Sequence, residues 1–142
     1  MFKKILICLD GSGFAEQVIQ YALDVALKYS ARVVLLQAVP PAVPITPGVS
    51  VKTSQSLEHS ALGYLEGVAS SMKMGGLAVD CVTAAGAPGE TIIRYAKENQ
   101  IDLIAMSTNG RGGLGQTLFG SVAQQVVKES GLPILLVRPS GG

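Results

Sequence analysis

The chain has 142 residues, of which 48% are hydrophobic and 15% are charged, a size and composition typical of one folded domain rather than a disordered segment. The formal net charge of +1, with no basic cluster, gives no indication of a nucleic-acid surface. The apolar runs are far shorter than the roughly 18 to 20 residues that span a bilayer. We therefore expect a single cytoplasmic domain over residues 1–142, with no membrane or nucleic-acid partner.

The first half of the chain alternates between short apolar runs, typical of buried strands, and apolar residues at helical spacing. A strand is predicted in KKILICLD (residues 3–10), and a helix with Ser12 as its N-cap follows, with apolar positions from Ala15 to Tyr29. ARVVLLQAV (31–39) predicts the second strand. Residues 40–56 contain four prolines between positions 40 and 47 and predict a long exposed loop.

The second half continues the alternation. The remaining predicted elements are a helix over 57–72, a strand over 77–86, a helix with Pro88 in its first turn, a strand over 101–107, a helix over 118–130 and a strand over 133–138. Apolar strands alternating with amphipathic helices predict an α/β fold, a five-stranded parallel sheet with helices on both faces.

The residue types that hold metals are scarce. Cys8 and Cys81 each lie inside an apolar run and are predicted to be reduced core thiols. The single histidine, His59, is predicted to lie on a helix surface, which leaves no histidine cluster for a metal. We expect no metal held by protein side chains.

A ligand crevice is expected beyond the carboxyl ends of the strands, near the point where the strand order reverses. Four segments end there: 10–13, 38–41, 86–88 and 107–121. The last, STNGRGGLGQTLFGS, has five glycines and leads into a helix N-terminus, which binds phosphate through unpaired amides. Gly120 and Ser121 would supply amides and a hydroxyl, and Arg111 a charge-assisted hydrogen bond.

Two known phosphate-binding patterns fit this stretch only in part. Gly110-x-Gly112-x-x-Gly115 spells a dinucleotide fingerprint, but the strand that follows ends in Arg138 without the acidic residue that binds a ribose. Gly115-x-x-x-x-Gly120 spells most of a P-loop but lacks its lysine. A glycine-rich turn without a ligand remains an alternative.

Three segments, KKILICLDGS, GAPGETII and STNGRGGLGQTLFGSVAQQVVKESGLPILLVRP, resemble the universal stress protein family, and the resemblance extends from Lys3 to Pro139. The ATP-binding pattern of the family is Gly, two residues, Gly, nine residues, Gly, then Ser or Thr. Gly110, Gly120 and Ser121 match it, whereas Ser107 replaces the first glycine. The resemblance implies strand order 3-2-1-4-5, the adenine nucleotide alpha hydrolase-like arrangement.

The resemblance also implies roles for individual residues. Asp10, next to Leu9 at the end of the first strand, would contact the adenosine, and the backbone of Ala38 would meet the adenine. The other residues implied are Met106 and Ser107 lining the pocket, Gly110 and Arg111 at the phosphates, and Gly120, Ser121 and Val122 at the helix N-terminus. ATP is the implied ligand, with ADP or AMP as alternatives and Mg²⁺ as an accompanying ion. From the residues alone, a turn or capping role for Asp10 stays open.

Three functions remain in contention. The favoured one is an ATP-binding stress-response regulator and not an enzyme, because no histidine, P-loop lysine or carboxylate pair accompanies the glycines; slow ATP hydrolysis stays open. The alternative is a dimeric interaction module without nucleotide, which Ser107 supports, and the third is a dinucleotide oxidoreductase. The family resemblance also implies a homodimer through the last strand, Pro133 to Arg138, and the proline-rich loop is either a lid or a passive linker.

Overall fold

In the described residues, five strands and five helices follow one another, with one helix or a pair of helices between successive strands. The computed structural model describes residues 1–40, 50–108 and 120–140, without the side chains of residues 50–55. The strands are β1 (Lys4–Cys8), β2 (Arg32–Val39), β3 (Val79–Ala85), β4 (Leu103–Ser107) and β5 (Ile134–Val137). The helices are α1 (Gly13–Glu16), α2 (Ile19–Tyr29), α3 (Ser50–Met74), α4 (Pro88–Glu98) and α5 (Ser121–Glu129).

The strands form one parallel sheet in the order β3-β2-β1-β4-β5, so the predicted fold is confirmed. β1 lies at the centre, between β2 and β4, and its residues Ile5, Leu6 and Ile7 are completely buried. The strand order reverses between β1 and β4, because the chain moves from β1 to β2 on one side and later returns to β4 on the other. A ligand crevice is expected at this point.

The two faces of the sheet have separate apolar cores. Ile5 and Ile7 of β1 pack on the side covered by α1, α2 and α3, whereas Leu6 and Cys8 pack on the side of α4 and α5. This alternation follows from the two-residue period of a strand. Cys8 is buried as predicted, and burial raises the pKa of its thiol to about 12. Cys81, on an edge strand, is only partly buried.

The predicted helix after β1 is in fact two helices. Ser12 caps α1 as expected, since its Oγ accepts a hydrogen bond of 3.1 Å from the amide of Ala15. The amides of Gln17 and Val18 then bond to carbonyls three residues earlier, which ends α1 in a tight turn. The side chain of Gln17 bonds to both backbone groups of Ser140, at 2.8 Å each, and so ties this break to the segment after β5.

The extent of two other helices also differs from the prediction. α3 begins at Ser50, so the predicted loop over 40–56 is wrong for residues 50–56, which contain no proline to prevent a helix. The rest of that loop, residues 41–49, lies outside the described residues. The helix predicted over 118–130 begins at Ser121 in the structure, and its Val127 is 50% exposed. Leu118 and Phe119 lie outside the described residues.

The surface features are ordinary for such a sheet. His59 is exposed on α3, as predicted. Among the helices of the described ranges, none combines the length and apolar character needed to cross a bilayer. Arg32 and Asp80 form an exposed ion pair between β2 and β3 at 2.8 Å, and the Arg32 bond lowers the pKa of Asp80.

Candidate functional site

A cavity of about 1000 Å³ opens at the carboxyl ends of β1, β2 and β4, where the strand order reverses. Its size is at the upper end of the range for small-molecule sites, about 300 to 1000 Å³. Eight of the ten site residues predicted from the sequence line it: Leu9, Asp10, Ala38, Met106, Ser107, Gly120, Ser121 and Val122. The other two, Gly110 and Arg111, lie outside the described residues. The structure thus brings the eight together, while their binding roles stay predictions.

Asp10 lies at the mouth of the cavity in a well-defined turn. Its Oδ1 accepts hydrogen bonds from the amide of Ser12 at 2.9 Å and from the Ser12 hydroxyl at 2.5 Å. The same hydroxyl oxygen caps α1. Asp10 therefore has the turn role that the sequence left open, and this turn also fixes its carboxylate beside the cavity.

The N-terminus of α5 forms one wall. Gly120 is the N-cap residue, with φ of −70°, and its amide donates to the carbonyl of Thr108 at 2.6 Å. This hydrogen bond holds the start of α5 against the end of β4. It also occupies the Gly120 amide, which the sequence predicts as a donor to phosphate. The amides of residues 121–123 have no acceptor within the helix, and these three residues line the cavity. With no acidic side chain in the first turn, this wall attracts anions.

The opposite end of the cavity is mostly apolar. Leu36, Ala38 and Val39 of β2 line it, with Ile92 of α4. The turn after β3 closes it, because the amide of Gly86 donates to the carbonyl of Val39 at 2.9 Å. Gln37 is the one polar side chain among the residues of β2 that line the cavity in the described part of the chain.

Helix α3 supplies a wall that the sequence did not assign to the site. Leu57, Ser60, Ala61 and Tyr64 lie along the cavity. The apolar residues Leu57, Ala61 and Tyr64 recur at helical spacing, a pattern that predicts a core-facing stripe and cannot distinguish a core from a cavity wall. The Tyr64 hydroxyl donates to Oε2 of Glu16 at 2.5 Å, which joins α3 to α1.

The environment of Tyr64 opposes its ionisation. Burial is the largest cause of the raised pKa of Tyr64. The hydrogen bond to Glu16 raises this pKa further, as do the negative charges of Glu16 and Asp10. Because the pKa of Tyr64 is higher in the folded than in the unfolded state, its protonated hydroxyl contributes to the free energy of unfolding. This contribution is complete below the unfolded pKa of about 10 and is lost as the pH rises above it.

Tyr64→Phe is expected to lower the free energy of unfolding near neutral pH by about 1 kcal/mol, because it removes the hydrogen bond to Glu16. The variant should also lose less stability than the wild type between about pH 10 and 12, since Tyr64 no longer ionises on unfolding. Urea unfolding at pH 7 and at several alkaline pH values measures both effects. Tyr21→Phe, at an exposed tyrosine, is the control. Parallel alkaline curves for wild type and Tyr64→Phe would contradict the assignment.

Three buried polar atoms have no hydrogen-bond partner in the described part of the structure: Oε1 of Gln37, Oγ1 of Thr91 and Oγ1 of Thr108. Buried polar atoms are nearly always paired with protein or water, so each of these indicates a partner not contributed by the described chain. Gln37 and Thr108 both line the cavity. They lie at its two ends, on β2 and at the end of β4.

The site combines a crevice at a topological switch point, an anion-attracting helix N-terminus and an apolar end, features that are typical of small-molecule sites in proteins of the doubly wound α/β class. The sequence model of the universal stress protein family matches residues 1–138 of this chain. The chain therefore belongs to the universal stress protein family.

Individual relatives agree with this assignment. A universal stress protein of Thermus aquaticus is 33% identical over 97% of this chain and 100% of its own length. The solved structure of protein MJ0577 of Methanocaldococcus jannaschii has a TM-score of 0.91 and 26% identity, covering 100% of this chain and 99% of that one. A universal stress protein solved in complex with cAMP has a TM-score of 0.72 and 22% identity, covering 98% of both chains, and shows the fold.

Proposed function

We propose that the protein is a stress-response regulator that binds an adenine nucleotide, ATP foremost, and turns it over slowly or not at all. The observation that carries this proposal is one cavity that joins the N-terminus of α5 to an apolar end at β2, with Asp10 between them. The family membership and the cAMP complex of a structural relative support it.

The polarity of the cavity orients the nucleotide. The phosphates would bind at the amides of residues 121–123 and the Ser121 hydroxyl, where the helix dipole favours negative charge. The base would then lie at the apolar end, near Ala38, Val39 and Ile92. Asp10, at the end of the central strand β1, is placed between the two ends, where its carboxylate can accept from a ribose hydroxyl.

The chemistry of the lining favours binding over turnover. Among the described lining residues, Asp10 is the one carboxylate, and neither histidine nor lysine is present. General acid–base catalysis and metal-assisted phosphoryl transfer depend on such groups. Mg²⁺ would therefore be bound mainly through the phosphates of ATP, with Asp10 as the one carboxylate that the described lining offers.

A thermal unfolding titration with ATP, AMP and NAD, each with Mg²⁺, tests this function. A nucleotide at 100 times its dissociation constant is expected to add about 2.7 kcal/mol to the stability, which raises Tm by several degrees. A shift with ATP and not with NAD supports the proposal. A shift with NAD alone would favour a dinucleotide enzyme. If none of the three shifts Tm, the interaction module of the same fold becomes the favoured function.

The assembly proposed with this function is a homodimer through residues 133–138. β5 is an edge strand, paired with β4 on one side, and its four residues are only partly buried in the single chain. An apolar, partly exposed edge strand without charged residues is suited to pairing with a second copy. Sedimentation velocity of the wild type and of Arg138→Asp tests this arrangement.

A further inference from the structure

We propose that the side-chain amide of Gln37 accepts a hydrogen bond from the exocyclic amino group of the bound base, and so selects adenine over a purine that lacks this group. This inference rests on the proposed nucleotide-binding function. It adds a side chain that reads the base, at a position that the predicted site did not include.

The first argument is the unpaired oxygen. Oε1 of Gln37 is shielded from solvent and has no donor among the described residues, and Gln37 is one of the residues that line the cavity. A buried acceptor without a donor is unfavourable, and this cost is relieved when a ligand brings an N–H to it. The group required is a hydrogen-bond donor, which the amino group of adenine supplies.

The second argument is position. β2 is separated from β4 by β1 alone, so the two ends of the cavity are about 10 Å apart at roughly 4.8 Å per strand. A nucleotide with its phosphates at α5, beside β4, places its base at the end of β2. Gln37 is there, between the apolar residues Leu36 and Ala38, in a strand otherwise occupied by hydrophobic side chains after Arg32.

The third argument is chemical fit. A carboxamide is the side chain that proteins commonly use to recognise adenine, because it pairs with the amino group and a neighbouring ring nitrogen. Of the α3 residues that line the cavity, Leu57 and Ala61 have apolar side chains, Ser60 carries a hydroxyl, and the Tyr64 hydroxyl donates to Glu16. Loss of the Gln37 amide would therefore leave the amino group without this partner.

The experiment is a thermodynamic double-mutant cycle. One change removes the side-chain amide of Gln37, and the other removes the amino group of the ligand. Isothermal titration measures ATP and purine riboside triphosphate, which lacks the amino group, with Mg²⁺, against wild type, Gln37→Met and Gln37→Glu. Methionine keeps the length of the side chain and removes the acceptor, whereas glutamate keeps an acceptor. Gln20→Met, on the exposed side of α2, is the matched control.

The wild type and Gln20→Met are expected to bind ATP about tenfold more tightly than the analogue. Gln37→Met should bind both equally, and Gln37→Glu should retain the preference. If Gln37→Met keeps the full preference, the amino group is bound elsewhere and the inference is wrong. Equal binding of both ligands by the wild type overturns it while the proposed function stands. If the wild type binds neither ligand, the proposed function itself fails.

Discussion

Gly120→Val is expected to lower the affinity for ATP by at least about 100-fold, because hydrogen bonds to charged phosphate oxygens contribute about 1.5 to 3 kcal/mol each and the variant obstructs more than one. Gly120 lines the cavity directly before the amides of residues 121–123. A branched side chain at this point occupies the space through which a phosphate must approach the helix N-terminus.

The fold should tolerate this change. The φ of Gly120 is −70°, a conformation open to any residue, so valine introduces no left-handed strain. The cost is the weaker N-cap, about 1 kcal/mol. Isothermal titration with ATP and thermal unfolding without ligand separate the two effects.

Gly67→Val is the matched control, since Gly67 is exposed on α3 with open space where a Cβ would be and does not line the cavity. It should bind ATP like the wild type. Wild-type affinity in Gly120→Val would refute the phosphate position. Lost affinity in both variants would show that the effect is not local to α5.

The architecture was predictable from the sequence because each strand is a compact apolar run. KKILICLD predicts a strand buried on both faces, and Ile5, Leu6 and Ile7 have no exposure. The switch point follows once the strand order is known, and eight of the ten predicted site residues accordingly line one cavity. Strand ends and the helix start mark the segments that contain Asp10, Ala38, Ser107, Gly120 and Ser121. The family resemblance implied the remaining three, Leu9, Met106 and Val122.

The α3 wall was not predictable in the same way. Residues 50–56 are mostly polar and follow a proline-rich segment, so neither apolar spacing nor a cap marks the start of the helix. The bond between Tyr64 and Glu16 joins residues 48 positions apart, and it exists only because α1 and α3 cover the same face of the sheet. Gln37 did have a local signal, as a single amide within VVLLQAV.

Gly86→Ala is expected to lower the free energy of unfolding by about 2 to 5 kcal/mol, which is a large fraction of the stability of a domain this size. Gly86 has a φ of +142°, which side chains of L-residues rarely adopt. A Cβ at this position would also lie 2.8 Å from Oγ1 of Thr91, a buried side chain 2% exposed that has little room to move.

Two control variants separate backbone strain from the steric contact. Gly76→Ala, at φ of +95° with open space around its Cβ, should cost only the strain, about 1 to 3 kcal/mol. Gly63→Ala, at an open site within α3, should be neutral or stabilising. Combining Gly86→Ala with Thr91→Ala removes the steric contact, so the double variant should be more stable than the sum of the single effects predicts.

Urea unfolding of the four single variants, with Thr91→Ala among them, and of the double variant measures these differences, and Tm of Gly86→Ala should fall by about 10 °C. The turn at Gly86 closes the cavity through its bond to Val39, so Gly86→Ala should also bind ATP more weakly. Equal losses of stability in Gly86→Ala and Gly76→Ala would show that Thr91 yields to the new methyl group. The cost at Gly86 would then be backbone strain alone.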